Sequence, residues 1–105
     1  MKQIVAFTAS PAGTAHARLA AEALRAVADR AGHSFKAEVA DPAGPIAPLT
    51  AADIAGADVV VLAVDASVDI ARFAGKSLYE TRTSAAIRHP QAILDAALGR
   101  VAGPV

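Results

Sequence analysis

Regular structure begins at Ile4-Val5-Ala6-Phe7, a continuous apolar run rich in strand formers, which leads directly into Thr8-Ala9-Ser10-Pro11-Ala12-Gly13. An uninterrupted apolar run is typical of a strand that is buried on both faces, and proline and glycine then force the chain to turn. From about Ala15 to Ala31 the apolar residues, Leu19 among them, recur at helical spacing and form one face. We therefore predict a buried strand, a loop over 8–13 and an amphipathic helix that ends at Gly32.

The remaining chain alternates between further strand and helix patterns. The predicted elements are a strand near a sheet edge at 34–39, a short helix at 51–55, the strongest strand at 58–64, a weaker strand at 77–79 and a last helical region from about 83 to 99. Thr50 is expected to cap the short helix, with Asp53 completing a capping box. Pro90 is expected to divide the last region into a short turn and a helix with Pro90 in its first turn.

This order of elements predicts an α/β fold. Strands that are separated by helices pair in parallel through right-handed crossovers. We expect an open four-stranded parallel sheet with helices on both faces, which is a doubly wound arrangement of three layers. A chain of 105 residues is about the size of one domain, so residues 1–105 are predicted to form a single domain.

Composition and charge exclude several classes of protein. Ten basic residues balance ten acidic ones, which argues against a protein that neutralises many phosphates of a nucleic acid. Cysteine is absent, so a disulfide framework and a cysteine metal site are excluded, and three scattered histidines do not form a metal site. The apolar segments are too short to cross a bilayer, so we expect a cytoplasmic, soluble domain without membrane insertion. No cofactor is expected.

Ligands of open parallel sheets bind at the carboxyl ends of the strands, and three predicted loops, at 8–16, 40–49 and 65–72, leave those ends. In the first loop, Pro11-Ala12-Gly13-Thr14-Ala15 feeds into a helix N-terminus, where backbone N–H groups and the helix dipole favour an anion such as phosphate. Ser10 lies at the mouth of this predicted phosphate loop. Many folds of this class have such a turn without binding phosphate, so a purely structural turn stays open.

Imidazole and acidic side chains near these loops have competing interpretations. His16, in the first helical turn, is either a catalytic base or a solvated side chain. Asp65 and Asp69 flank the end of the strongest strand, where acidic groups can bind a ribose or a metal, but we favour a role in capping the turn between them. Asp41 is interpreted in the same way, as a loop or cap residue.

The first loop resembles the signature of a known family. Residues 8–16 are similar to T-A-C-P-T-G-I-A-H-T, which marks the fructose-type enzyme IIB of the bacterial phosphoenolpyruvate-dependent sugar phosphotransferase system (PTS). The similarity continues, in order and without large gaps, through 20–24, 32–33, 49–55, Asp65, Asp69, 72–76 and 79–80. It covers nearly the whole chain, and it implies the fold and the ancestry of that family.

The resemblance also implies a role for position 10. In the family, a cysteine accepts a phosphoryl group from a phosphohistidine on enzyme IIA and passes it to a sugar held by the membrane component, enzyme IIC. Ser10 stands in place of that cysteine, and a serine hydroxyl is far harder to deprotonate than a thiol. The only nearby general base in the sequence is His16, so phosphotransfer is predicted to be deficient.

Two origins of Ser10 stay open: a designed Cys-to-Ser change in an active protein, or a natural relative that has lost the carrier function. The chain also departs from the family pattern at Ala12, Ala17, Ala47 and 40–42, and this erosion around the site favours the second origin. Within 40–42, an aspartate adds negative charge to a loop that is expected to face phosphate, which repels an anion.

The active face of the predicted sheet allows more than one function. Asp41, Asp65 and Arg72 lie on the loops that are expected to surround Ser10. A phosphoryl carrier with partners IIA and IIC is the first hypothesis. The main alternative is a module that docks IIA or IIC through Ser10, Pro11 and Arg72 without carrying phosphate, and a small phosphate sensor is a more remote one.

Overall fold

The structure is a computed structural model that describes residues 1–99. Its elements are β1 (Gln3–Ala9), α1 (Thr14–Arg30), β2 (Ser34–Val39), α2 (Ala51–Ala55), β3 (Val59–Val64), a 3₁₀ turn (Ala71–Phe73), β4 (Leu78–Thr81), α3 (Thr83–Arg88) and α4 (Pro90–Gly99). The order of strands and helices is the one that the sequence predicts.

The four strands form one parallel sheet in the order β2-β1-β3-β4. The central strand β3 is buried along its whole length, which explains its unbroken apolar sequence. The strand β2 lies at one edge, as its alternating pattern predicts, and β4 forms the other edge. The predicted fold class, an open parallel sheet with helices, is confirmed.

The two faces of the sheet are covered unequally. Alternate residues of each strand point to opposite faces, and one set, which includes Ile4, Ala6 and Val61, packs against α1, α3 and α4. The other set, which includes Val5 and Leu62, packs against α2, the 3₁₀ turn and the segment before α2. The fold therefore has three layers, with three helices on one face and a thin cover on the other.

Two local predictions for the first half of the chain are wrong. Leu19 was expected on the buried face of α1 but is 57% exposed. The buried face is built from alanines such as Ala17 and Ala20, which let the helix approach the sheet, and Leu19 falls on the opposite side. The strand β1 also continues through Thr8 and Ala9, which were assigned to the loop, because Ala9 O still accepts a hydrogen bond from the chain after β3.

The predicted helix boundaries agree with the structure. Thr50 and Asp53 form the expected capping box on α2. Pro90 opens α4, and His89 separates it from α3, so the last helical region is divided where the sequence indicates. Gly32 follows α1 with a φ of 80°, a conformation that favours glycine. Within residues 1–99, no helix has the length and apolar character that crossing a membrane requires.

Candidate functional site

The loop between β1 and α1 is a tight turn built around Ser10. The Ser10 Oγ accepts a hydrogen bond from Ala12 N at 3.2 Å, and the Ser10 carbonyl accepts one from Gly13 N at 3.1 Å. Gly13 has a φ of 136°, which lies in a region that residues with a side chain rarely adopt. Ser10 therefore stabilises the turn that delivers the chain to the start of α1.

The N-terminus of α1 is left without a cap from its own residues. Gly13 is the N-cap, and it has no side chain to accept a hydrogen bond from the first turn. The first turn of α1 also contains no acidic residue. Because the first N–H groups of a helix carry a partial positive charge, this end of α1 favours a negative group from elsewhere.

Asp65 lies at the carboxyl end of β3 and connects α3 to the Ser10 loop. Its carboxylate accepts hydrogen bonds from Thr83 N at 3.0 Å and from Thr83 Oγ1 at 2.6 Å. These bonds from Thr83 are the main cause that holds the pKa of the Asp65 carboxyl below its usual range, and the Ser10 hydroxyl and the charge of His16 lower it further. The structure thus brings Ser10, His16 and Asp65 together.

This arrangement corrects the role predicted for Asp65. The sequence predicts a cap on the turn between Asp65 and Asp69, but the Asp65 side chain instead accepts hydrogen bonds from the first residue of α3. Asp69 is likewise a cap, but on the following 3₁₀ turn rather than on the turn between Asp65 and Asp69, since its carboxylate accepts a hydrogen bond from Ala71 N at 2.9 Å. Thr83 follows β4, so its pairing with Asp65 is a property of the sheet that the sequence pattern around Asp65 does not reveal.

Asp41 reaches the start of α1 from the loop after β2. Its carboxylate accepts hydrogen bonds from Thr14 Oγ1, in the first residue of α1, and from Ala43 N at 3.1 Å. The Thr14 hydroxyl is the main cause that lowers the pKa of Asp41, and Ala43 N–H and the charge of Arg18 act in the same direction. An ionised carboxylate is therefore bound at the end of the helix where the sequence predicts a phosphate.

Arg72, predicted on the active face, is engaged in an ion pair. Its guanidinium donates two hydrogen bonds to Glu38, both at 2.9 Å, and it stacks on the rings of Phe7 and Phe73 at 5.3 and 4.8 Å. The Glu38 carboxylate also accepts from Leu49 N at 2.8 Å. These contacts place Arg72 on the α2 side of the sheet and neutralise its charge.

Two polar residues of this region were missed by sequence reasoning. Glu38 lies on the polar side of an alternating strand and was assigned to its wetter face, yet it is 4% exposed. The missing signal is the long-range pairing with Arg72, which compensates for burial of the charge. Thr8 is fully buried, and its Oγ1 has no hydrogen-bond partner among residues 1–99.

Beside the Ser10 loop lies an open cavity of about 540 Å³ between the ends of β3 and β4. It is lined by Val64, Asp65, Ala66, Ser67, Glu80, Thr81 and Arg82. Asp65 both lines this cavity and interacts with the Ser10 hydroxyl. The cavity therefore adjoins the Ser10 loop through the Asp65 carboxylate. In the part of the chain that the structure describes, no three histidine, aspartate or glutamate side chains are grouped so as to hold a metal ion.

Comparison with known proteins identifies the family of this fold and loop. A family model described as "PTS system, Lactose/Cellobiose specific IIB subunit" matches residues 5–96. The "PTS system fructose-like EIIB component 2" of Escherichia coli is 40% identical over 95 residues, and the match covers 90% of each chain. The chain belongs to the IIB family of the PTS.

Two further matches define the type of IIB domain. The "PTS system fructose-specific EIIB'BC component" of Rhodobacter capsulatus is 45% identical over 98 residues, which are 93% of this chain and only 17% of that relative. A solved "Predicted Fructose Specific IIB" from Escherichia coli has a TM-score of 0.91 at 29% identity and covers 100% of this chain and 94% of that one. The family model is named for other sugars, but these relatives support a fructose-type IIB domain, as the resemblance implies.

Proposed function

We propose that residues 1–105 act as one fructose-type IIB domain, with Ser10 at the position that receives the phosphoryl group. The observation that carries this proposal is the match with the fructose-like EIIB component of Escherichia coli, because it covers 90% of both chains rather than a shared fragment. The partners that follow are an enzyme IIA as donor and an enzyme IIC that holds the sugar. Such a domain acts in the cytoplasm, next to the membrane component.

The chemistry at Ser10 requires the loss of a proton. In transfer from a phosphohistidine, the bond between phosphorus and nitrogen breaks, a bond between phosphorus and Ser10 Oγ forms, and the hydroxyl proton must leave. The hydroxyl interacts with the Asp65 carboxylate, whereas the base predicted from the sequence is His16. Because the pKa of Asp65 is lowered, its carboxylate is a weak proton acceptor. We therefore propose that this domain transfers phosphate poorly.

A docking module that does not carry phosphate is the second candidate. The contact of Asp41 with Thr14 favours it, since a carboxylate already lies at the positive end of α1. In this candidate the domain binds IIA or IIC through the surface around Ser10 and Pro11. The Arg72 side chain contributes less to docking than its position in the sequence implies, because its charge is paired with Glu38.

The test compares this chain with its Ser10→Cys and Ser10→Ala variants. Each is incubated with phosphoenolpyruvate, the general PTS proteins and a fructose-type IIA, and phosphate on the chain is followed by intact-protein mass spectrometry. We expect reversible labelling of Ser10→Cys that is faster than any labelling of the parent, and no labelling of Ser10→Ala. Labelling of Ser10→Ala would place the acceptor elsewhere, and binding of IIA without labelling of any variant would favour the docking module.

A further inference from the structure

Asp41 connects two segments that meet at the carboxyl edge of the sheet. It lies just after β2, and its carboxylate is bound by the side chain of Thr14, the first residue of α1. Its other oxygen accepts a hydrogen bond from Ala43 N at 3.1 Å, so each carboxylate oxygen has a partner. The carboxylate is thus oriented toward α1 by its own loop.

This contact supplies what α1 lacks. The helix has 17 residues, a glycine N-cap and no acidic residue in its first turn, so its positive end has no negative group within the helix. Asp41 is the anion that the structure places there, and Arg18, one turn further along α1, adds a positive charge beside it. A carboxylate and a phosphoryl group are both drawn to the positive end of a helix, so an anion already there disfavours a second one.

We propose that Asp41 is a specificity-determining residue that excludes anions from the Ser10 loop. A phosphoryl group on Ser10 or a free phosphate at the loop meets the Asp41 charge, and repulsion between the like charges disfavours either anion at the end of α1. This inference rests on the proposed function for the position of the phosphoryl group. It adds that the poor carrier chemistry has a second cause, independent of the serine oxygen.

Neutralising Asp41 is therefore expected to admit anions. Asp41→Asn keeps the size of the side chain and an oxygen acceptor for Thr14 but removes the charge. The matched control is Asp58→Asn, which makes the same charge change at the amino end of β3, where Asp58 accepts from Gln3 N at 2.7 Å. Asp41→Ser provides a second variant at the same position.

Two measurements report on the loop. The first titrates inorganic phosphate against the backbone amide signals of residues 12–14 by NMR. We expect Asp41→Asn to bind phosphate on the order of tenfold more tightly than the parent, which is within the usual range of coupling between two sites. Asp58→Asn is expected to behave like the parent. The amide spectrum also shows directly whether each variant is folded.

The second measurement uses the Ser10→Cys background and the pH dependence of thiol alkylation. The charged groups around the loop and the start of α1 are Asp65 and His16, which interact with each other beside Ser10, and Asp41 and Arg18, which interact with each other beside Thr14. Of these only Asp41 is changed, so Asp41→Asn is expected to lower the pKa of the introduced thiol by about one pH unit, a tenfold change in thiolate. The inference would be overturned if both Asp41 variants had the phosphate affinity of the parent and, in the Ser10→Cys background, the thiol pKa of Ser10→Cys alone.

The outcome is separable from the proposed function. If Asp41→Asn gains phosphate affinity while Ser10→Cys is labelled by IIA neither with nor without Asp41→Asn, Asp41 is confirmed as the excluding charge and the carrier proposal fails. If Ser10→Cys is labelled at the same rate with and without Asp41→Asn, and phosphate affinity does not change, the carrier proposal stands and the role of Asp41 is rejected.

Discussion

Removal of Arg72 should destabilise the domain strongly and in a pH-dependent way. In the structure the Glu38 side chain is 5% exposed and the Arg72 side chain is 39% exposed, and two charge-assisted hydrogen bonds of 2.9 Å join them. In Arg72→Ala, among residues 1–99, the buried Glu38 carboxylate keeps only the hydrogen bond from Leu49 N. Breaking a buried ion pair costs about 3–5 kcal/mol, and because water reaches Arg72 we expect the lower end, about 3 kcal/mol.

The sign of the pH dependence is the sharper part of this prediction. In the parent, burial acts to raise the pKa of Glu38, but the hydrogen bonds from Arg72 and Leu49 outweigh burial and hold the pKa below its usual value. Glu38 therefore stabilises the parent above the unfolded-state pKa and loses that effect as the pH falls through the folded-state pKa. In Arg72→Ala burial dominates, so the folded-state pKa is raised and protonation on acidification restores stability.

The assay is urea denaturation of both proteins at pH 7.5 and pH 5. The difference in free energy of unfolding should be about 3 kcal/mol at pH 7.5 and clearly smaller at pH 5. Arg25→Ala is the matched control, because Arg25 also stacks on a ring, that of Phe35, but its ion pair with Glu22 is exposed. It should cost under about 1 kcal/mol at both pH values. A pH-independent loss, or a loss no larger than that of the control, would refute the reasoning.

Three further predictions concern single residues. Thr50→Ala removes the capping box of α2 and should lower the free energy of unfolding by about 1 kcal/mol in urea denaturation, with no change for Thr50→Ser. The carboxyl of Asp53, whose pKa is lowered to about 2 mainly by the hydrogen bond from Lys36, should titrate near that value by carbon NMR, and Lys36→Gln should raise it. Thr8→Val removes a buried hydroxyl without a partner among residues 1–99 and should raise the melting temperature, with a stabilisation of about 1 kcal/mol; a loss of stability would reveal a partner.

The elements of this fold are predictable because their signals are local. The apolar run of β3, the capping box at Thr50 and the proline at position 90 each lie within a few residues of the boundary they define. Leu19 shows where such a signal fails, since helical spacing fixes an apolar stripe but not which part of it faces the sheet. The alanines of α1 determine which side of the helix faces the sheet, because their small side chains allow the helix to approach the sheet closely.

The candidate site was predicted in position but not in its contacts. The loops at the carboxyl ends follow from the parallel order of the strands, so Ser10 and Asp65 were placed correctly at one edge. The charged residues of these loops bind partners from distant segments. Arg72 pairs with Glu38 across 34 residues, Asp41 with Thr14 across 27, and Asp65 with Thr83 across 18. Pairings over such separations depend on strand register, which a single sequence does not specify.

The Ser10 Oγ atom bears on both the stability of the turn before α1 and the phosphoryl transfer proposed at this position. The Ser10 oxygen accepts a hydrogen bond from Ala12 N, and oxygen is a better acceptor than sulfur, so serine suits the turn that begins α1. The same oxygen holds its proton more tightly than a thiol and lies near a carboxylate that is a weak base. A cysteine at this position would be a better nucleophile than serine but a weaker hydrogen-bond acceptor for Ala12 N. Serine at position 10 thus suits the hydrogen bonding of the loop, and we expect Ser10→Cys to weaken the turn while easing phosphoryl transfer.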